Sequence, residues 1–426
     1  ITSVPCLSCR TCGPHRSGRA GRYDERKSTS SQRVRCPPPH GVRCGSCGAQ
    51  GLCEYKIKYV EGSSVRGHVV QDIVRLVQSN SNSSSSSSLR TTVLAALSRR
   101  VVTTVTDGSK GSRHEGRGTP IYFGCQTHEA GKFRDQEADG ILGLQPKDRP
   151  RRRQLPSVVQ SLVDTRGASN TFSLCLAETT GLLLFGGRAA SAGSLRRPGG
   201  ATIAYMVPDA SERFTLHLRD ARMGAAPLVL ASGSSYASRL SSLRLPLSAY
   251  NPTIVDSGTS FLYASTTLWR EIHARLRHHN PELRRLGPHR VCAYMTPAVR
   301  DAMPVIEFDV SGPSASRPLL IRPAQYMVES AALAQAVVAG TQASVGAIGM
   351  RQPREGERLH CADIFNNGRR GTVLGASVLR NREVIFDMSD SSITFVDANC
   401  AALKPETSSL RDAYAFAPCG EEFARG

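Results

Sequence analysis

No apolar run in this sequence approaches the ~20 residues that a helix needs to cross a bilayer, so no segment reads as a membrane span. Aromatic residues are scarce at 6%, with a single Trp at position 269. Acids are also in deficit, with 35 Asp and Glu against 54 Lys and Arg and a formal charge of +19. A balance that basic permits anionic partners but does not establish one. The chain opens at Ile1 without a signal-peptide pattern and ends without a tail anchor, so it is expected to be a mature form or a fragment. What is present lets most of the chain fold. Hydrophobic residues make up 40% of 426, enough for two domains of ordinary size.

Cysteine is not scarce, and its placement is uneven. Seven of the 13 precede residue 54: Cys6, Cys9, Cys12, Cys36, Cys44, Cys47 and Cys53. The others, Cys125, Cys175, Cys292, Cys361, Cys400 and Cys419, are scattered. Two readings compete. Cys6-x-x-Cys9-x-x-Cys12 with Cys44-x-x-Cys47 could ligate zinc. The alternative is a disulfide-stapled region of a secreted protein, which the irregular spacing and the isolated later cysteines favour. An odd count leaves at least one thiol without an internal partner.

The organisation reads as follows. Residues 1–53 are a polar, basic, Cys-rich insert. Residues 53–77 alternate as a hairpin, Tyr55-Lys-Ile57-Lys-Tyr59, then a turn at Glu61-Gly62-Ser63-Ser64, then Val69-Val70 and Ile73-Val74. Residues 79–90, nearly all Ser and Asn at first, read as a disordered insertion. Lys147 to Arg153 reads as a solvated basic loop. Gly-bounded apolar runs predict strands at Ile121–Gly124, Ile141–Leu144, Phe172–Leu174, Leu182–Phe185, Phe214–Leu218, Thr253–Val255, Val305–Val310, Thr372–Leu379, Glu383–Asp387 and Ile393–Val396. Leu268–Leu276 and Ala331–Val338 predict helices. The class is mainly β, with few helices.

The segment richest in chemistry is Asn251-Pro-Thr-Ile254-Val255-Asp256-Ser257-Gly258-Thr259-Ser260-Phe261-Leu262. An apolar strand delivers a carboxylate into a Gly turn. Gly258 allows a tight bend, and the hydroxyls of Ser257 and Thr259 can hold Asp256 in one orientation. Taken alone, Asp-Ser-Gly-Thr is equally an ordinary Asx-type turn.

In context the chain resembles the pepsin-like aspartic proteases. That family carries an Asp-Thr/Ser-Gly-Thr/Ser loop after an apolar strand in each lobe, and a later apolar-apolar-Gly segment that packs around it. Val373-Leu374-Gly375-Ala376 matches that partner segment for the Asp256 loop, and Ile141-Leu142-Gly143-Leu144 after Asp139-Gly140 matches its N-terminal counterpart. Tyr59-Val-Glu61-Gly62-Ser63-x-x-x-Gly67 looks like the family's flap. Cys53-Glu-Tyr55, Phe123-Gly124-Cys125-x-Thr127-His128-Glu129 and Val396-x-Ala398-Asn399-Cys400 look like the plasmepsin V group of apicomplexan export-motif proteases.

The resemblance implies a bilobal pepsin-like fold with an incomplete N-terminal lobe at 1–190, a C-terminal lobe at 200–400 and a C-terminal extension at 401–426. It implies hydrolysis of peptide bonds by a water held between two aspartates, with Asp256 as one of them. Ser257, Gly258 and Thr259 would support it, and Tyr59, Glu61, Gly62 and Ser63 would line the flap. Arg is best read by a carboxylate, so Glu61, and after it Glu129, are the candidates for recognising the Arg of an Arg-x-Leu substrate motif. The implied partner is a peptide or protein substrate of a monomeric enzyme in the lumen of the endoplasmic reticulum or Golgi. No cofactor, no metal and no specific nucleic acid is called for. Any membrane anchor would belong to the parent protein, outside these residues.

One departure stands out. No second Asp-Thr/Ser-Gly occurs; Asp107-Gly108-Ser109 follows the flap instead of preceding it. The expectation is that the chain starts just past the first loop. The alternative is a catalytically inactive pepsin-like binding protein. An anion-binding protein driven by the basic loops is a third reading, weakened because those loops look like insertions.

Overall fold

The structure is a computed structural model that describes residues 2–13, 22–38, 44–59, 62–74, 118–134, 140–145, 155–178, 181–186, 196–208, 213–224, 241–286, 290–314, 316–331, 333–334, 350–401 and 414–416. The expected Ser-rich insertion, the basic loop 147–153 and most of the extension 401–426 lie outside the described residues, as does Glu61. The chain divides into two compact units. The first comprises Ile1–Leu195, Ile385–Asp390 and Cys400–Glu422; the second comprises Arg196–Val384, Ser391–Asn399 and Phe423–Gly426. Both are built mainly of strands. Among the described residues no helix is long and apolar enough to cross a membrane.

In the first unit, β1 (Ser3–Pro5), β2 (Cys53–Lys58), β3 (Ser64–Val74) and β4 (Thr119–Ala130) form one sheet. β2 pairs with β3 and β3 with β4, both antiparallel, and β4 takes β1 in parallel. Alternation makes β2 a strand: Cys53 and Tyr55 face inward, while Glu54, Lys56 and Lys58 face water. The inward residues join Val34, Val65, Val69, Phe133 and Leu155 in a core. Helix α1 (Val158–Arg166) packs on β4. It starts where the Ser157 hydroxyl accepts the Gln160 N–H, and it stops at Gly167, whose φ of 66° suits a left-handed cap. β5 (Thr171–Leu176) and β6 (Gly181–Phe185) form a hairpin in which Phe172 stacks on Phe386 at 4.6 Å.

Disulfides resolve the cysteine question. Cys6–Cys125, Cys9–Cys12, Cys36–Cys47, Cys44–Cys53 and Cys175–Cys400 join within the first unit, and Cys292–Cys361 joins in the second. The zinc reading is corrected: each sulfur it would use is bonded to another sulfur and has no thiolate to give. Cys419, the thirteenth, lies outside the described residues.

In the second unit the sheet that matters most is assembled from β7 (Thr215–Leu216), β9 (Thr253–Val255), β10 (Leu262–Ala264), β14 (Ile364–Asn366) and β15 (Thr372–Leu374). β8 (Leu218–Gly224) and β12 (Val305–Val310) pair in a second sheet, and β11 (Arg290–Met295) and β13 (Arg358–Ala362) in a third. In the first of these sheets, β9 lies between β7 and β15, parallel to β15. β15 also pairs antiparallel with β10, and β10 runs parallel to β14. Helix α2 (Thr266–His279) covers this sheet with Leu268, Trp269, Ile272, His273 and Leu276, and turns Arg270, Arg277, His278 and His279 outward. Its 3.6-residue apolar spacing gives the helix the sequence predicts.

Three predicted strands differ. Phe214–Leu218 breaks at His217, so that Thr215–Leu216 pairs with β9 while Leu218 opens β8 in another sheet. Of Ile141–Leu144 only Ile141 pairs, in a single bridge with Ser3. Thr372–Leu379 is a strand only to Leu374; Ala376–Leu379 is a turn of helix with every residue buried. A fully buried apolar run has no periodicity to reveal which it will be. The predicted helix at Ala331–Val338 lies mostly outside the described residues.

Candidate active site

Asp256 sits at the point where β9 ends. Thr253, Ile254 and Val255 are buried, so the strand is fixed on both faces. The Asp256 N–H donates to the Leu374 carbonyl at 3.0 Å, which extends the β9–β15 ladder by one rung up to the carboxylate-bearing residue. The chain then turns. The Gly258 N–H donates to Asp256 Oδ1 at 2.9 Å, and the Thr259 hydroxyl donates to Oδ2 at 2.7 Å. Each carboxylate oxygen thus has one donor from the loop, while the side chain remains partly exposed. A carboxylate held this way has one orientation and keeps lone pairs free for another donor.

Gly375 permits the closeness of this arrangement. A Cβ there would come 2.1 Å from the Phe261 carbonyl oxygen and 2.5 Å from that of Thr259. With no side chain in the way, the segment after β15 donates Ala376 N–H to Thr259 O at 2.7 Å and Ser377 N–H to Ser260 O at 3.0 Å. The Asp256 loop and the apolar-apolar-Gly segment are therefore knitted together through the backbone. The two donors to the carboxylate are thus the Gly258 N–H and the Thr259 hydroxyl, and neither bond comes from the Ser257 hydroxyl.

The flap residues belong to the first unit. Tyr59 follows β2, and its N–H donates to Ser63 O at 2.8 Å. Gly62, with φ of 98°, takes a conformation that a side chain disfavours, and its N–H closes the turn on Tyr59 O. The Tyr59 ring packs on Phe133 at 4.9 Å, against the hairpin's own core. Ser63 is buried, and its hydroxyl accepts the Lys132 N–H at 3.0 Å, so it anchors the turn. Glu129 is 3% exposed, and its Oε2 accepts the Gly13 N–H at 3.2 Å. Its main chain also bonds with the Thr11 hydroxyl. Glu129 thus holds the Cys9–Cys12 loop in place. Cys125, three residues before His128, is bonded to Cys6 and has no thiolate to offer.

Reasoning from the sequence missed the surroundings of Phe261, which follows the loop directly. Its ring lies 5.3 Å from that of Phe365, which in turn lies 5.4 Å from Tyr263. The Arg290 guanidinium sits over both phenylalanines, 5.9 Å from the Phe261 centroid and 5.2 Å from the Phe365 centroid. Arg290 Nε lies 2.9 Å from Asp363 Oδ1. No local signal pointed to this group, since its members come from three separated stretches of chain.

The model of the family described as eukaryotic aspartyl protease matches residues 118–398. The chain belongs to that family. A second model, described as xylanase inhibitor N-terminal, matches residues 2–187. Plasmepsin V of Plasmodium falciparum is 27% identical over 193 residues, 43% of this chain and 25% of that protein. Aspartic protease 5 of Toxoplasma gondii is 25% identical over 203 residues, 44% of this chain and 17% of that protein. Aspartic proteinase 36 of Arabidopsis thaliana is 23% identical over 386 residues, 89% of this chain and 64% of that protein. The chain thus matches about a quarter or less of the length of the apicomplexan relatives. Its fold is that of a pepsin-like aspartic protease, mainly β.

Proposed function

We propose that the protein is an aspartic endopeptidase and that Asp256 is one of the two carboxylates that activate the attacking water. The observation that carries this is the Asp256 loop itself, with both oxygens oriented by loop donors at the end of a buried strand. Two carboxylates close together share one proton, because both cannot readily ionise. The ionised member takes a proton from the water, which attacks the peptide carbonyl, while the protonated member donates to the carbonyl oxygen. The sequence holds one loop of this kind, and the second carboxylate is assigned to no residue of it. Residues 1–426 alone are expected not to cleave peptides. In the full-length protein, Asp256→Asn should abolish cleavage of a peptide library and leave thermal unfolding essentially unchanged. Cleavage that survives the substitution would remove Asp256 from the chemistry.

The finer reading is an export-type specificity, with cleavage at an Arg-x-Leu motif in the lumen of the endoplasmic reticulum or Golgi. Six disulfides support an oxidising compartment. Glu61, at the flap turn, is proposed to pair with the substrate Arg. Glu61→Gln should slow cleavage of Arg peptides by about tenfold or more while sparing Lys peptides relatively. Equal losses on both would count against it.

A second reading, a non-catalytic binding protein, is favoured by two observations: the match of residues 2–187 to the xylanase inhibitor N-terminal model and the single Asp loop. The same full-length assay separates the two, because a binding protein would retain its ligand after Asp256→Asn and would cleave nothing before it.

A further inference from the structure

The Arg290–Asp363 pair is unusual for a structural contact. Asp363 is 4% exposed and lies where the chain passes from β13 in one sheet to β14 in the sheet that carries Asp256. Arg290 starts β11, in the sheet of β13. Nε and Oδ1 approach to 2.9 Å, yet the N–H is not aimed at the oxygen, and neither atom makes a hydrogen bond among the described residues. An ion pair whose carboxylate is buried, and whose facing Nε and Oδ1 make no hydrogen bond, is a poor source of stability. Desolvation of the carboxylate offsets the attraction to Arg290, which keeps a quarter of its side chain exposed, and apolar replacements of poorly bonded pairs are often neutral or stabilising.

What the pair does hold is a position. Asp363 fixes the guanidinium over the rings of Phe261 and Phe365. Phe365 stands opposite Tyr263 in the β10–β14 register, and Phe261 is the residue through which the Asp256 loop enters β10. The Phe261 carbonyl is in turn pressed against Gly375. A displacement of the Phe261 ring would therefore pass through one short stretch of backbone to Thr259, whose hydroxyl holds Asp256.

We propose that Arg290 and Asp363 are positioning residues that set the Asp256 loop through Phe261. The proposal rests on the proteolytic reading for its catalytic consequence, but not for the loop itself.

The test uses the full-length protein, with Arg290→Met/Asp363→Leu as the main variant and Asp363→Asn as the milder one. Thermal unfolding should be unchanged or raised for the double variant. Hydrogen exchange at the Gly258 and Thr259 amides should quicken by about tenfold or more while the rest of the second unit keeps its protection. Turnover should fall by about tenfold or more, with KM within about twofold. Asp363→Asn should move exchange and turnover in the same direction. Unchanged exchange at the two amides in both variants would overturn the proposal. So would a loss of protection spread evenly over the unit with a lowered Tm, which is what a merely structural contact would give. Exchange is read whether or not the wild-type protein cleaves, so a failure of proteolysis at Asp256 is a separate result.

Discussion

At the scale of the residue, Asp256 depends on two donors that do different work. The Gly258 N–H comes with the turn and survives any side-chain change in it. The Thr259 hydroxyl is a single removable group, 2.7 Å from Oδ2. A hydrogen bond to a charged group contributes about 1.5–3 kcal/mol. Thr259→Val keeps the shape and removes the donor, so kcat/KM in the full-length protein should fall by about tenfold to a hundredfold. Thr259→Ser should restore most of it. Equal activity in the Val and Thr proteins would mean that Gly258 alone suffices. Ser257 serves as the internal control, since its hydroxyl does not touch the carboxylate and Ser257→Ala should not loosen it.

At the scale of the element, the first unit shows how a loop-rich segment is held without much secondary structure. Residues 22–33 attach to β3 through Asp72, which is buried and accepts from Tyr23 at 2.5 Å, Ser28 at 2.9 Å and Ser30 at 2.5 Å. Burial, reinforced by Asp72, pushes the Tyr23 phenol well above its ordinary range, so it remains a donor at any working pH. Asp72→Asn removes the charge that three hydroxyls serve. It should destabilise the first unit by about 2–3 kcal/mol in urea unfolding and hasten proteolytic nicking of residues 22–33. An unchanged nicking rate would show that the segment's other contacts to β3, the Gln32–Arg33 strand pairing and the Glu25–His68 pair, hold it without Asp72. This attachment was not legible in the sequence, because Tyr23, Ser28, Ser30 and Asp72 have no common spacing. By contrast, the β2–β3 hairpin was legible from Tyr55-x-Ile57-x-Tyr59, where alternation writes the buried face directly into the sequence. The Asp256 turn was legible for a similar reason: three buried residues, a carboxylate and a glycine are all local. Disulfide partners were not, since Cys6 and Cys125 are 119 residues apart. Nor was the Arg290–Asp363–Phe261 group, which is assembled entirely by topology.

At the scale of the whole molecule, two buried groups move stability with pH in opposite directions. Burial pushes the Asp363 carboxyl up to about 6 despite Arg290 beside it, so the fold favours its neutral form. That contribution is fully present below the ordinary carboxyl value of 3.8 and is lost as pH rises through about 6. Burial pushes His273 down to about 4, its Nε2 lying 3.1 Å from the Ile364 carbonyl oxygen, so the fold again favours the neutral form. For a histidine that means the reverse: the contribution is complete above 6.5 and is lost as pH falls toward about 4. Each shift of roughly two units corresponds to about 3 kcal/mol, so over the same interval the two nearly cancel. Asp363→Asn removes one of them and leaves the other. Relative to the wild type, the variant should gain about 3 kcal/mol of stability between pH 4 and pH 6.5. His273→Phe should lose a similar amount relative to the wild type over that range. Taking the difference from the wild type cancels the slopes of the remaining titrating groups. Urea midpoints at the two pH values, converted with a common m-value, decide it. Parallel curves for wild type and Asp363→Asn would mean that Asp363 keeps its charge throughout. In that case the Arg290 pair is a permanent fixture and does not dissolve in acid.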